Sequence, residues 1–98
     1  MAESRSHTAT ANRLAKKFKT DYNKSKGPDI NTDKLAIEVE TEDSVSDASR
    51  QLQGFNKPVY VAGANQKTVQ KALEKYENTT IGVMDNQGKI VKRSTRKK

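Results

Sequence analysis

Two short segments separated by a polar loop constrain this chain more than anything else in it: Gly27-Pro28-Asp29-Ile30, and Leu35-Ala36-Ile37-Glu38-Val39-Glu40. The second alternates with a period of two. A strand there places Leu35, Ile37 and Val39 on one face and Ala36, Glu38 and Glu40 on the other. Between the segments, Asn31-Thr32-Asp33-Lys34 consists of residue types that favour a tight polar turn, so residues 28–31 and 35–41 are expected to pair as neighbouring strands. Such a hairpin brings Asp29 toward Glu38 and Glu40. Like charges gathered on one strand face call for a cation, and converging carboxylate oxygens suit Mg²⁺ or Mn²⁺.

The remaining elements follow from periodicity and punctuation. Residues 1–9 are small, polar and without periodicity, and are expected to be disordered. A helix capped by Thr10 carries Leu14, Phe18 and Tyr22 at helical spacing and ends before Lys26-Gly27-Pro28. After the paired strands, Glu42-Asp43-Ser44 offers acidic and capping groups for a second helix through about residue 53, with Val45, Ala48 and Leu52 buried and Gly54 as its stop. Val59-Tyr60-Val61-Ala62 reads as a central strand covered on both faces. Asn65 caps a third helix with Val69, Ala72, Leu73 and Tyr76 as its stripe and Asn78 as a left-handed cap. Residues 80–84 and 89–92 form two closing strands around the turn Asp85-Asn86-Gln87-Gly88. The expected order is α-β-β-α-β-α-β-β, a mixed sheet with helices on both faces, in one domain over residues 10–93 followed by a basic tail at 94–98.

Composition closes off several chemistries. The 98 residues contain no cysteine, which removes disulfides, thiolate zinc sites and cysteine nucleophiles. The single histidine, His7, falls in the expected disordered start and offers no triad. No apolar run approaches the ~20 residues of a membrane span, and residues 1–7 lack the apolar core of a secretory signal, so a cytoplasmic protein with no membrane partner is expected. The net charge of +7 is segregated. Residues 1–26 hold seven Lys/Arg against two acids, residues 29–47 one Lys against seven acids, and residues 89–98 six basic groups and no acid. Basic flanks around an acidic centre suit a metal-dependent protein acting on a polyanion.

The paired motif resembles the PD-(D/E)XK nuclease superfamily, in which a Pro-Asp and an acid-X-Lys on adjacent strands hold a divalent metal. Pro28 and Asp29 match the first half and Glu38 the acid of the second, while Glu40 stands where the family has lysine. The element order over residues 10–93 is similar to the restriction endonuclease-like core of Holliday junction resolvases. The resemblance implies Asp29, Glu38 and Glu40 as metal-binding and catalytic residues, Mg²⁺ or Mn²⁺ as cofactor, and hydrolysis of DNA phosphodiesters. Lys24, Lys26 and Lys34 are the candidates to replace the missing lysine, Lys26 first. Arg13, Lys16, Lys17, Lys24, Lys26, Lys92, Arg93 and Arg96 are expected to contact the backbone of DNA or RNA. The alternatives are a non-catalytic nucleic-acid-binding module of the same fold and a protein-interaction or regulatory subunit. A homodimer or larger complex is expected because two sites are needed to cut both strands.

Overall fold

The computed structural model describes residues 5–20, 22 and 28–96, apart from the side chains of Arg5, Ser6 and Asp47. Helix α1 runs Arg5–Lys17, β1 Ile30–Asn31 and β2 Ala36–Glu40. A 3₁₀ turn, Val45–Asp47, leads into α2, Ala48–Gln51; β3 follows at Val59–Gly63, α3 at Gln66–Lys75, β4 at Gly82–Met84 and β5 at Ile90–Lys92.

The strands lie in chain order in one five-stranded sheet. The two outer pairs, β1 with β2 and β4 with β5, are antiparallel, and the two inner pairs are parallel. This pattern follows from the connections: tight turns join the outer pairs, whereas helices α2 and α3 carry the chain between parallel neighbours. Both crossover helices cover one face of the sheet, where Val45, Ala48, Leu52, Val69, Ala72 and Tyr76 pack on Ala36, Val59, Val61 and Val83. Among the described residues, helix α1 is the helix on the other face, with Ala11, Leu14 and Ala15 on Ile30, Ile37, Val39, Tyr60, Ala62 and Met84. Strand β3 is buried along its whole length, as its unbroken apolar run requires of a strand covered on both sides. The expected mixed sheet with helices on both faces is therefore present.

Several local expectations need correction. Helix α1 begins at Arg5, so residues 5–9 are helical, and Thr10 is a buried helical residue with 2% exposure instead of a cap. The physical reason is that the apolar stripe starts earlier than Leu14: His7, Ala11, Leu14 and Phe18 share one side of the helix at spacings of four, three and four. Ser44 does not cap the following turn with its side chain; its hydroxyl accepts from Thr41 N–H at 3.1 Å. Asn78 is not left-handed, since Lys19 is the non-glycine residue with positive φ among those described. Asn65 does cap α3, its Oδ1 accepting from Thr68 N–H at 2.9 Å and from the Thr68 hydroxyl at 2.8 Å.

The carboxyl end of the chain is also more integrated than a solvated tail. Ser94 is 8% exposed, and its Oγ accepts from Val59 N–H at 3.2 Å and donates to Thr80 O at 2.7 Å. Arg96 reaches the Leu52 carbonyl at 2.5 Å. The chain thus remains tied to the body of the domain through Arg96.

Candidate carboxylate site

β1 ends its ladder early, and that shortness creates the site. The antiparallel register pairs Ile30 with Ile37, and one further step sets Asp29 opposite Glu38. Asp29 does not continue the strand. Its Oδ2 instead accepts from Val39 N–H at 2.9 Å, supplying by side chain the acceptor that a longer β1 would have supplied by backbone. In return, Asp29 N–H donates to Glu38 Oε1 at 3.1 Å. Proline at position 28 suits this sheet edge, where no ladder donor is needed.

The three predicted acids are brought together here. Asp29 is 7% and Glu40 5% exposed, and Glu38 is half-buried. Burial, followed by the charge of Asp29, a hydrogen bond with the Asp29 side chain and the charge of Glu40, pushes the Glu38 carboxyl up to about 10. Burial also raises Glu40, to about 7, against the opposing effect of a hydrogen bond from Ser44. Both glutamates thus favour their protonated forms because taking like charges out of water beside one another is unfavourable.

The fit to a divalent metal is one of donor chemistry. Asp29, Glu38 and Glu40 supply carboxyl oxygens, the hard donors that Mg²⁺ and Mn²⁺ take. Side-chain geometry differs: among the described residues, no three His, Asp or Glu groups are arranged to hold a metal ion as they stand. Glu38 Oε1 accepts from Asp29 N–H at 3.1 Å, a bond that a metal taking this oxygen would have to replace.

His7 is the residue that the sequence reading missed. Its Nε2 lies 3.3 Å from Asp29 Oδ2, and its Nδ1 lies 3.4 Å from the Tyr22 hydroxyl. It also favours the ionised form of Glu40. The signal was its place on the Ala11–Leu14 side of α1, which directs it to the same sheet edge as Asp29.

The predicted basic residues divide. Arg13 donates to Asn86 O at 2.9 Å, Lys17 to Gln87 O and Gly88 O at 3.2 and 3.1 Å, and Lys92 to Thr79 O and Ile81 O at 3.2 and 2.5 Å. Together with Arg96, these cations hold loops and chain ends to the sheet. Lys16 and Arg93 are exposed. Lys24 and Lys26 lie outside the described residues. Lys34 is in the β1–β2 hairpin, at the opposite end of β2 from Glu40, and does not replace the missing lysine. Among the described residues no lysine or arginine is ion-paired with Asp29, Glu38 or Glu40.

Comparison with protein-family models, with curated proteins and with solved structures finds no match to this chain. Among the described residues, no helix is long and apolar enough to cross a membrane.

Proposed function

We propose that this chain is a small metal-dependent nuclease-like protein acting on DNA, with a restriction endonuclease-like core. The observation that carries the reading is the placement of Asp29, Glu38 and Glu40 together at the end of the β1–β2 pair, where burial raises the Glu38 carboxyl to about 10 and the Glu40 carboxyl to about 7. A structural surface cluster has no need to bury acids beside one another; perturbed carboxyls grouped in this way characterise functional sites.

In this reading Asp29, Glu38 and Glu40 hold Mg²⁺ or Mn²⁺, which when bound lowers the pKa of water and offsets charge on the phosphate. The chain's own residues do the positioning. Val39 N–H fixes the Asp29 carboxylate. His7, against Asp29, supplies a group able to take up or release a proton beside the metal ligands. The exposed Lys16 and Arg93 would contact phosphates without reading bases. Two copies acting together would serve both strands of a duplex.

The test is nicking of supercoiled plasmid DNA with Mg²⁺ or Mn²⁺. Cleavage that requires the metal and disappears in Asp29→Asn and in Glu38→Gln supports the proposal; cleavage unaffected by both substitutions refutes it. A second reading, a non-catalytic DNA-binding module, is favoured by one observation: Glu40 occupies the expected lysine position, and no lysine is paired with the cluster among the described residues. Localised metal binding without cleavage, with activity gained in Glu40→Lys, would select it.

A further inference from the structure

We infer that the cavity between the C-terminal end of α1 and the β1–β2 hairpin is a nucleotide-binding subsite that holds a DNA strand away from the scissile phosphate. The identity of the ligand rests on the function proposed above; the site itself rests on independent features. The cavity measures about 460 Å³ and is floored by Phe18 and Leu35, both half-buried against the core beneath α1. Lys17, Lys19 and Lys34 line it as well, with Asp33 as the one acid among the described lining residues. The hairpin wall is fixed, because Thr32 Oγ1 accepts from Lys34 N–H and Leu35 N–H, each at 3.2 Å.

The three lysines differ in how they are used. Lys17 Nζ is held 5.8 Å from the Phe18 ring centroid and bonded to the Gln87 and Gly88 carbonyls. Lys19 and Lys34 are exposed, and among the described residues neither ammonium has a hydrogen-bond or ion-pair partner. Lys19 also has a backbone suited to glycine. It sits at φ 55° and closes α1, with Thr20 N–H bonded to Ala15 O at 2.9 Å and Lys19 N–H to Lys16 O at 3.2 Å. A lysine in that left-handed position is unfavourable for stability, which argues that its side chain is retained for use. Apolar surface from Phe18 and Leu35 beside exposed ammonium groups matches a nucleotide, whose base seeks apolar contact and whose phosphate meets cations. An inorganic anion would use the ammonium groups alone.

The subsite lies on the same side of the sheet as His7 but at the far end of α1. At 1.5 Å per residue, the helix separates Lys17 from His7 by about 15 Å. A strand bound along α1 and the sheet edge would therefore meet both sites, the carboxylates at one end and the lysines at the other.

The experiment is titration of a 5′-phosphorylated thymidine dinucleotide, with EDTA present, into the full chain labelled for NMR. Amide shifts should concentrate at residues 17–19 and 32–35. Lys19→Gly and Lys34→Ala should each weaken binding about tenfold, the loss of one charged phosphate contact. Lys75→Ala, an equal charge change at the end of α3 on the opposite sheet face, should leave it unchanged. Lys19→Gly should at the same time raise the melting temperature, which separates loss of contact from loss of fold. Equal weakening by Lys75→Ala, or binding of inorganic phosphate as tight as that of the dinucleotide, would overturn the inference. Since no metal is present, dinucleotide binding that meets these expectations in a protein that cleaves nothing would uphold the subsite while removing the nuclease reading.

Discussion

Replacing Glu38 with glutamine should flatten the dependence of stability on pH, because this side chain is the most strongly perturbed of the carboxylate group. In the folded protein Glu38 is raised to about 10 and Glu40 to about 7, chiefly by burial. In the unfolded chain both titrate near the ordinary ~4.3. The folded state therefore binds protons more tightly over the intervening range. The resulting stability is fully present below the unfolded pKa and is lost as pH rises through about 7 for Glu40 and on toward about 10 for Glu38. One proton held only by the folded state contributes a slope of ~1.4 kcal/mol per pH unit. The two titrations are linked and do not add, and partial contact of Glu38 with solvent reduces its share, so a loss on the order of 2–3 kcal/mol between about pH 5 and 7 is expected. Urea denaturation reads this directly: with a slope of about 1 kcal/mol/M for a small domain, the midpoint should fall by roughly 2–3 M. The neutral amide introduced by Glu38→Gln mimics the protonated acid. The variant should match the parent near pH 5 and exceed it by about 1–2 kcal/mol near pH 7. Saturating Mg²⁺ at neutral pH should raise the parent's midpoint and leave the variant's unchanged. Parent stability that is flat or rising between pH 5 and 7, or a variant weakened equally at every pH, would refute the argument.

Leu14→Ala should cost about 2–5 kcal/mol, because this fully buried side chain docks α1 on its face of the sheet; a loss under about half a kcal/mol would mean that α1 is not held there. Gly82→Ala should destabilise by about 1–3 kcal/mol, since its Cβ would meet the Tyr60 ring at 2.5 Å and the backbone of Lys92 and Ser94 at 2.6 Å. Thermal melts of that variant at or above the parent value would show that β5 is not packed against β4 as described. Tyr76→Phe removes a buried hydroxyl that donates to Val45 O at 2.6 Å and should cost about 0.5–1.5 kcal/mol, the net contribution of one hydrogen bond, since Val45 O keeps the bond from Ala48 N–H; chemical denaturation showing no loss would count against that contact.

Most of the sheet was legible because its strands carry their own patterns. The apolar run at residues 59–62, the alternation at 35–40 and the Asp85–Gly88 turn each specify one local structure. Asn65 and the stripe through Val69, Ala72 and Tyr76 marked α3 in the same way. Helix α1 was harder to delimit. Its first turns contain Ser, Thr and His, which lack strong helical preference, and docking of Ala11 and Leu14 on the sheet outweighs those weak preferences. Asp29, Glu38 and Glu40 were readable as a group because strand pairing alone brings them together. The roles of Arg13, Lys17, Lys92 and Arg96 were not readable, since their backbone acceptors lie 11 to 73 residues away in the chain. Charge density identified them as cations, and only the tertiary structure shows that they tie loops to the sheet.

The most direct measurement of the central claim is titration of Mn²⁺ into the isotopically labelled protein at neutral pH. The carboxylate-site account predicts paramagnetic broadening that begins at the amides of Asp29, Glu38, Val39 and Glu40, is competed by Mg²⁺, and disappears in Asp29→Asn, whose side-chain oxygen can still accept from Val39 N–H. Broadening centred instead on the exposed Glu42 and Asp43, or unchanged by Asp29→Asn, would show that the buried acids hold protons without forming a metal site.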